Sequence, residues 1–322
     1  MLKVAINGFG RIGRPTFKKL IESPGIQVVA INDLTDNKTL MHLLKYDSVY
    51  GRYDKKINCK MLTEKDPTQL PWKKLGVDVV LECTGFFTDP KGASKHLKAG
   101  AKKVIISAPC KDRGVPTYVL GGNEERYNPE KDHIISMGSC TTNCVVPIAK
   151  VINDNFDIEK ALMTTIHSYT STQKLVDGPH KDLRRGRAAA VNIVPTTTGA
   201  AISVIKVLPE LEGKLDGIAI RVPSVNISLL DFVAQVKKLT KSDLVNKVFK
   251  QASQKELKGI LAVEDLPLVS TDFIGNPYSA IIDSQFTMVE GKNLVKVLAW
   301  YDNEWGYACR LAEMAEFVGK KL

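Results

Sequence analysis

The run Asn7-Gly8-Phe9-Gly10-Arg11-Ile12-Gly13-Arg14 decides the fold of the N-terminal part of this chain. It carries the pattern Gly-x-Gly-x-x-Gly. An apolar, strand-like run, Lys3–Asn7, leads into it. A segment of helical period, with Ile12, Phe17, Leu20 and Ile21, leads out until Ser23-Pro24-Gly25 stops it. A second buried strand, Gln27–Asn32, ends beside Asp33, which lies 20 residues after Gly13. That is the spacing of a strand–turn–helix–strand unit that binds a dinucleotide. In such a unit Gly8 allows the tight turn, Gly10 leaves room for a pyrophosphate, and Gly13 lets helix and strand pack closely. Free N–H groups at the helix N-terminus then face the phosphates. The Asp33 carboxylate suits the hydroxyls of an adenosine ribose. Its charge would repel a 2′-phosphate, and Leu34 rather than Arg or Lys follows, so the expected cofactor is NAD, not NADP.

Further apolar runs at Asp78–Cys83 and Lys103–Ser107 continue the alternation of short buried strands and helices. This predicts a parallel sheet with helices on both faces. The rhythm changes after about residue 150. Strand-like segments follow at Ala161–Ser168, Gly217–Val222, Ile227–Val236, Ser279–Val289 and Leu294–Tyr301, with a turn at Glu290-Gly291-Lys292-Asn293 that makes part of this sheet antiparallel. Ser242–Leu257 reads as an amphipathic helix. A second helix, Asn303–Lys320, has Tyr307, Leu311, Met314 and Val318 as its core stripe. Tyr169–Asn192 is a long polar stretch without periodicity, of the kind that is usually functional. The expected class is α/β. An N-terminal Rossmann domain with a parallel sheet (1–139) is completed by the C-terminal helix (303–322), and a mixed-sheet α/β catalytic domain occupies 140–302.

Composition agrees with two globular domains in 322 residues, since 44% of residues are hydrophobic and 25% charged. No apolar run reaches the roughly 18 residues of a membrane helix, and the first residues lack the zones of a signal peptide. Six scattered cysteines do not make a disulfide scaffold, which points to reduced thiols and the cytoplasm. Cys140 and Cys144, at i and i+4, lack the partners of a zinc set, so no metal is expected. The net charge of +10 suits nucleic acid or another anion, and equally a solvated basic surface. The densest basic run, His180–Arg187, has no interleaved aromatics. Phosphorylated small molecules or subunit contacts are therefore favoured, and nucleic acid is not required.

Ser139-Cys140-Thr141-Thr142-Asn143-Cys144 runs into the apolar Val145-Val146-Pro147-Ile148-Ala149, as a helix starting at or near Cys140 would. A thiol there has its thiolate favoured by the helix dipole and by free N–H groups, and its pKa is expected to fall. A partner base is also needed. Of the five histidines, His42 lies in an apolar helical segment and is expected to pack, while His96 and His133 are expected at the surface. His180 belongs to the basic loop. His167, at the end of a strand, is the best candidate, although spacing does not single it out. Cys59, Cys83, Cys110 and Cys309 are expected to be small buried hydrophobes, and Cys144, one turn after Cys140, to pack in the same way, with a redox resolving partner as the alternative.

Asn7–Arg14, Ser139–Cys144, His167-Ser168-Tyr169-Thr170 and Asp302-Asn303-Glu304-Trp305-Gly306-Tyr307 closely resemble the phosphorylating glyceraldehyde-3-phosphate dehydrogenases, over essentially the whole chain. The resemblance pairs Cys140, as nucleophile, with His167, as base and thiol activator. It implies cofactor contacts at Arg11, Ile12, Asp33, Ser107 and Asn303, the last orienting the nicotinamide amide. It implies a substrate-phosphate site at Thr170 and Arg221, and an inorganic-phosphate site at Ser139, Thr141, Thr198 and Gly199. It also implies a homotetramer whose basic loop, Tyr169–Asn192, lines subunit contacts. The stretch Gly51–Asp66 is about ten residues shorter than is usual in the family. Lys65 stands where Arg is frequent, beside the adenosine half. The implied reaction is the NAD-linked oxidative phosphorylation of glyceraldehyde 3-phosphate in glycolysis. Erythrose-4-phosphate dehydrogenase shares the pair of residues, and an NAD-fold scaffold for RNA or protein is the alternative of another class.

Overall fold

The computed structural model describes residues 1–110, 112 and 114–322. The chain divides into two compact units, Met1–Ser139 with Tyr307–Leu322, and Cys140–Gly306.

In the first unit the strands are β1 (Leu2–Asn7), β2 (Ile26–Asn32), β3 (Tyr46–Asp47), β4 (Gly51–Arg52), β5 (Lys60–Leu62), β6 (Val79–Glu82), β7 (Lys103–Ile106) and β8 (Ile134–Ser136). The helices are α1 (Gly13–Leu20), α2 (Asn37–Lys45), α3 (Trp72–Leu75) and α4 (Pro90–Lys98). Six strands form one parallel sheet in the order β5-β2-β1-β6-β7-β8. The order turns back between β1 and β6, so a crevice opens outside their carboxyl ends, where open α/β sheets bind ligands. β3 and β4 make a hairpin that leads into the 51–66 segment, and β5 returns the chain to the sheet edge beside β2.

A buried polar cluster lies at the ends of β1 and β6. Asn7 Nδ2 donates to Glu82 Oε2 at 2.6 Å, and His96 Nε2 lies 3.0 Å from the same oxygen. Trp72 Nε1–H donates to His96 Nδ1 at 3.0 Å, which places the imidazole proton on Nε2. His96 is fully buried, contrary to its expected surface position. The helical turn of α4 puts it on the inward face with Ala93, and its charged neighbours Lys95 and Lys98 disguise that in the sequence. His42 departs in the other direction. α2 buries only Leu40 and Leu44, and leaves His42 exposed against the Tyr46 ring.

The second unit holds β9 (Ile158–Ser168), β10 (Val194–Thr197), β11 (Leu215–Val222), β12 (Ser228–Val236), β13 (Leu261–Glu264), β14 (Ala280–Glu290) and β15 (Leu294–Tyr301). Its helices are α5 (Cys140–Phe156), α6 (Ala200–Val207) and α7 (Ser242–Gln254). The mixed sheet runs β10-β11-β9-β12-β15-β14-β13, parallel only at β11–β9 and β13–β14. α5 tolerates Pro147 in its interior because Val145, Val146, Ile148, Ala149 and Ile152 are fully buried. Burial of large aliphatic side chains stabilises by about 1.5–3 kcal/mol each, more in sum than the roughly 3 kcal/mol a mid-helix proline costs. Residues 169–192 hold no regular element beyond a short 3-10 turn at Ala189–Val191. The last helix, α8 (Trp305–Gly319), buries Tyr307, Leu311, Met314 and Val318 as its stripe predicts. Among the described residues no helix is long and apolar enough to cross a membrane.

Candidate active site

The glycine turn after β1 forms a cradle in the first unit. Gly8 has φ +94°, and a Cβ there would lie 2.6 Å from the Thr84 nitrogen. A Cβ on Gly13 would overlap the Gly8 carbonyl oxygen. Gly10 has no atom within 4 Å of the place a Cβ would take. Asp33, at the end of β2, accepts the Phe9 N–H at 2.7 Å and the Thr35 N–H at 2.9 Å, so its carboxylate also braces the turn.

Gly8, Gly10 and Asp33 line a cavity of about 790 Å³ with Asn7, Asn32, Leu34, Lys65, Thr84, Phe86, Phe87 and Lys95. Lys65 lines this cavity beside Asp33 and Lys95. Arg11 is turned to Asp47 at 2.7 Å, with its guanidinium over the Tyr50 ring. Ile12 caps α1, and Ser107 Oγ donates to the Glu82 carbonyl at 2.9 Å; neither lines the cavity. Leu34 and Phe86, 62% and 84% exposed, form an apolar wall; the sequence drew notice to Leu34 only as the uncharged neighbour of Asp33, and not to Phe86. Their signal was their position just past the carboxyl ends of β2 and β6. The open face at Gly10, the helix N-terminus, the Asp33 carboxylate and the apolar wall fit a dinucleotide.

The second constellation lies in the second unit. Cys140 begins α5, and His167 comes from β9; their Sγ and Nε2 are 3.4 Å apart. His167 Nδ1 lies 2.7 Å from the Ser168 carbonyl oxygen, an acceptor, and 2.7 Å from Arg221 Nη1, a donor, while Nε2 faces the thiol. Arg221, opposite His167 in the β11–β9 ladder, donates to the same carbonyl at 2.9 Å. Burial first, and then the Arg221 charge, drive the His167 pKa down to about 3, so the imidazole is neutral. Burial also pushes the half-buried Cys140 thiol above its ordinary value, while Arg221 and the Thr141 hydroxyl and N–H pull it back. The thiol is therefore raised and not lowered as expected, because burial outweighs Arg221 and the hydrogen bonds from Thr141 and the Cys140 backbone.

Asn303 is held by two buried serines. Ser168 Oγ and Ser228 Oγ donate to its Oδ1 at 3.0 and 2.8 Å, leaving Nδ2 as its donor face. Thr170 Oγ1 pairs with Thr172 Oγ1 at 2.9 Å. Thr141 is buried in the first turn of α5 and Ser139 is half-buried just before it. Thr198 and Gly199 precede α6. The β10–β11 register sets Val194 opposite Arg221, so Thr198 and Gly199 stand at the far end of that strand from the guanidinium. Arg185 was expected only as part of the basic loop. It is anchored to Thr196 Oγ1 at 2.9 Å, and its charge reaches both His167 and Arg221. Cys110, Cys144 and Cys309 are buried as expected. Cys59 and Cys83 are only half-buried, because each lies at a strand end rather than within a core. Among the described residues no group of His, Cys, Asp and Glu could hold a metal ion.

A Rossmann unit with an open glycine cradle, in a chain that also holds a thiol beside an imidazole and a guanidinium, defines a dinucleotide-dependent dehydrogenase. Residues 2–90 match the model of the glyceraldehyde 3-phosphate dehydrogenase NAD binding domain, and residues 139–303 match that of the C-terminal domain. The chain belongs to the glyceraldehyde 3-phosphate dehydrogenase family, and its cofactor is NAD. Similar relatives include glyceraldehyde-3-phosphate dehydrogenase of Geobacillus stearothermophilus, 51% identical over 332 residues, and glyceraldehyde-3-phosphate dehydrogenase 1 of Bacillus subtilis, 50% identical over 332 residues. In both cases 99% of each chain is covered.

Proposed function

We propose that this protein oxidises glyceraldehyde 3-phosphate and phosphorylates the product to 1,3-bisphosphoglycerate, the NAD-linked step of glycolysis. The thiol–imidazole pair at 3.4 Å, in a chain about half identical to enzymes of that name, carries the reading. His167 takes the thiol proton as the Cys140 sulfur attacks the aldehyde carbon, and returns it to the carbonyl oxygen to give a hemithioacetal. Bound NAD supplies the hydride acceptor. His167 takes the hydroxyl proton as the hydride leaves, and the carbonyl reforms as a Cys140 thioester. Inorganic phosphate then attacks the thioester carbon, the acyl phosphate departs, and Cys140 is regenerated.

Arg221 and Thr170 hold the substrate phosphate, and Ser139, Thr141, Thr198 and Gly199 hold the attacking phosphate. Gly8, Gly10, Gly13, Asp33, Arg11, Ile12, Lys65, Ser107 and Asn303 serve NAD. An anion on Arg221 cancels the charge that depresses His167, so occupancy of that subsite makes the base stronger.

The assembly we propose is a cytoplasmic homotetramer. Its support is the exposed Leu175, Val176 and Leu183 of the basic loop, together with the exposed Leu162, Phe286 and Met288 on the mixed sheet. Light scattering tests the subunit number.

The deciding assay follows NADH absorbance with glyceraldehyde 3-phosphate or erythrose 4-phosphate, each with and without phosphate. Phosphate-dependent NADH formation with the higher kcat/KM on the three-carbon substrate is expected. The relatives' names favour neither the four-carbon substrate nor a binding scaffold. NADH formation that ignores phosphate, or none from either aldehyde, would sink the reading.

A further inference from the structure

The row of side chains that contains Arg221 and His167 continues across the mixed sheet. Ser228 on β12 is opposite Tyr301 on β15, and the neighbouring Leu229–Ile166 pair brings Ser228 beside His167. Ser228 is small, so the His167 and Tyr301 rings meet past it edge to face, with centroids 6.0 Å apart and planes at 78°. Tyr301 is 1% exposed, and its hydroxyl has two partners. Thr165 Oγ1 lies at 2.7 Å and Thr141 Oγ1 at 3.0 Å. Thr165 precedes the base by two residues and shares its face of β9. Thr141 follows the nucleophile, and its hydroxyl and N–H both face the Cys140 sulfur.

We infer that Tyr301 is a positioning residue at the centre of a directed hydrogen-bond chain from Thr165 through Tyr301 and Thr141 to the Cys140 sulfur, which holds nucleophile and base together and favours the sulfur's anionic form. The direction follows from proton counting. Each hydroxyl has one proton to give, and a thiolate can only accept. If Thr141 gives its proton to sulfur, its own oxygen must accept from Tyr301, and Tyr301 must then accept from Thr165. Hydroxyls aligned in one direction polarise one another, so the donor at the sulfur is strengthened by both behind it. The other groups facing the sulfur are His167 from β9, Arg221 from β11 and Cys144 from α5. Replacing Tyr301 by Phe removes one oxygen and leaves the ring against His167.

The inference rests on Cys140 as nucleophile and His167 as base, but its test needs neither aldehyde nor NAD. The rate of Cys140 alkylation by iodoacetamide is measured against pH on the full chain, with the modified site confirmed by peptide mass. In Tyr301→Phe the midpoint should rise by about 0.5–1 pH unit, and the rate at neutral pH should fall roughly three- to tenfold. Thr141→Ser should keep the wild-type profile, and Thr141→Val should shift it at least as far as Tyr301→Phe. The double variant Thr141→Val/Tyr301→Phe should go no further than Thr141→Val alone, because one chain cannot be broken twice. Should Tyr301→Phe fail to fold, Thr165→Val, which cuts the far end, is expected to move the midpoint in the same direction by less. A Tyr301→Phe profile that superposes on wild type, a lowered Tm with no shift of midpoint, or shifts that add in the double variant would each overturn the inference. A wild type that makes no phosphate-dependent NADH while showing these shifts would remove the proposed reaction and leave Tyr301 its role.

Discussion

Arg221 and His167 face one another across the β11–β9 ladder, with Nη1 2.7 Å from Nδ1 and also donating to the Ser168 carbonyl at 2.9 Å. A permanent cation beside a buried imidazole opposes its protonation, so the fold keeps His167 neutral. That neutrality has consequences for stability as well as for catalysis.

In the unfolded chain an ordinary histidine titrates near ~6.5, whereas folded His167 titrates at about 3. Between those values the unfolded state binds a proton that the folded state does not. Stability therefore rises with pH through that window, and is lost as pH falls from about 6.5 towards 3. Urea midpoints measured across it should show His167→Asn with a flatter pH dependence than wild type, by on the order of 1 kcal/mol or more. Equal slopes would mean that the imidazole is not held neutral.

His167→Asn should also lower the phosphate-dependent rate by about 10²–10⁴-fold, the usual worth of a positioned general base. Cys140→Ser should lose nearly all of it, together with the alkylation of that site. Steady-state rates with saturating aldehyde check both, and unchanged turnover in either variant contradicts the mechanism.

Two glycines of one motif should fail differently. Alanine at Gly13 would meet the Gly8 backbone, so Gly13→Ala should lose about 2–3 kcal/mol of stability. Gly10 has open space beside it, so Gly10→Ala should leave Tm unchanged and weaken NAD binding by roughly tenfold or more, about 1.4 kcal/mol. Thermal melts paired with NAD titrations separate the two. A Gly10→Ala protein that binds NAD normally would show that no phosphate approaches this turn.

Asp33 braces the Phe9 N–H while presenting charge to the cavity. Asp33→Asn keeps an acceptor for the buried Phe9 N–H, gives up the one for the exposed Thr35 N–H, and removes the charge. Its preference for NAD over NADP, as a ratio of kcat/KM, should narrow by roughly tenfold with little change in Tm. An unaltered ratio would mean that some other group excludes the 2′-phosphate.

The amino-acid sequence determined whatever depends on local order along the chain. Gly8, Gly10, Gly13 and Asp33 could be read as a cradle because strand, turn, helix and second strand follow one another within one short unit, and backbone sterics act between neighbours. Cys140 at the start of a helix was legible for the same reason. Tertiary structure alone decided what meets across the sheet: Arg221 on His167, Tyr301 between Thr141 and Thr165, the two serines on Asn303. It also decided the burial that put His96 in the core and pushed the Cys140 thiol up. Strand register and desolvation come from segments far apart in the chain packing together, and no local pattern of residues encodes them.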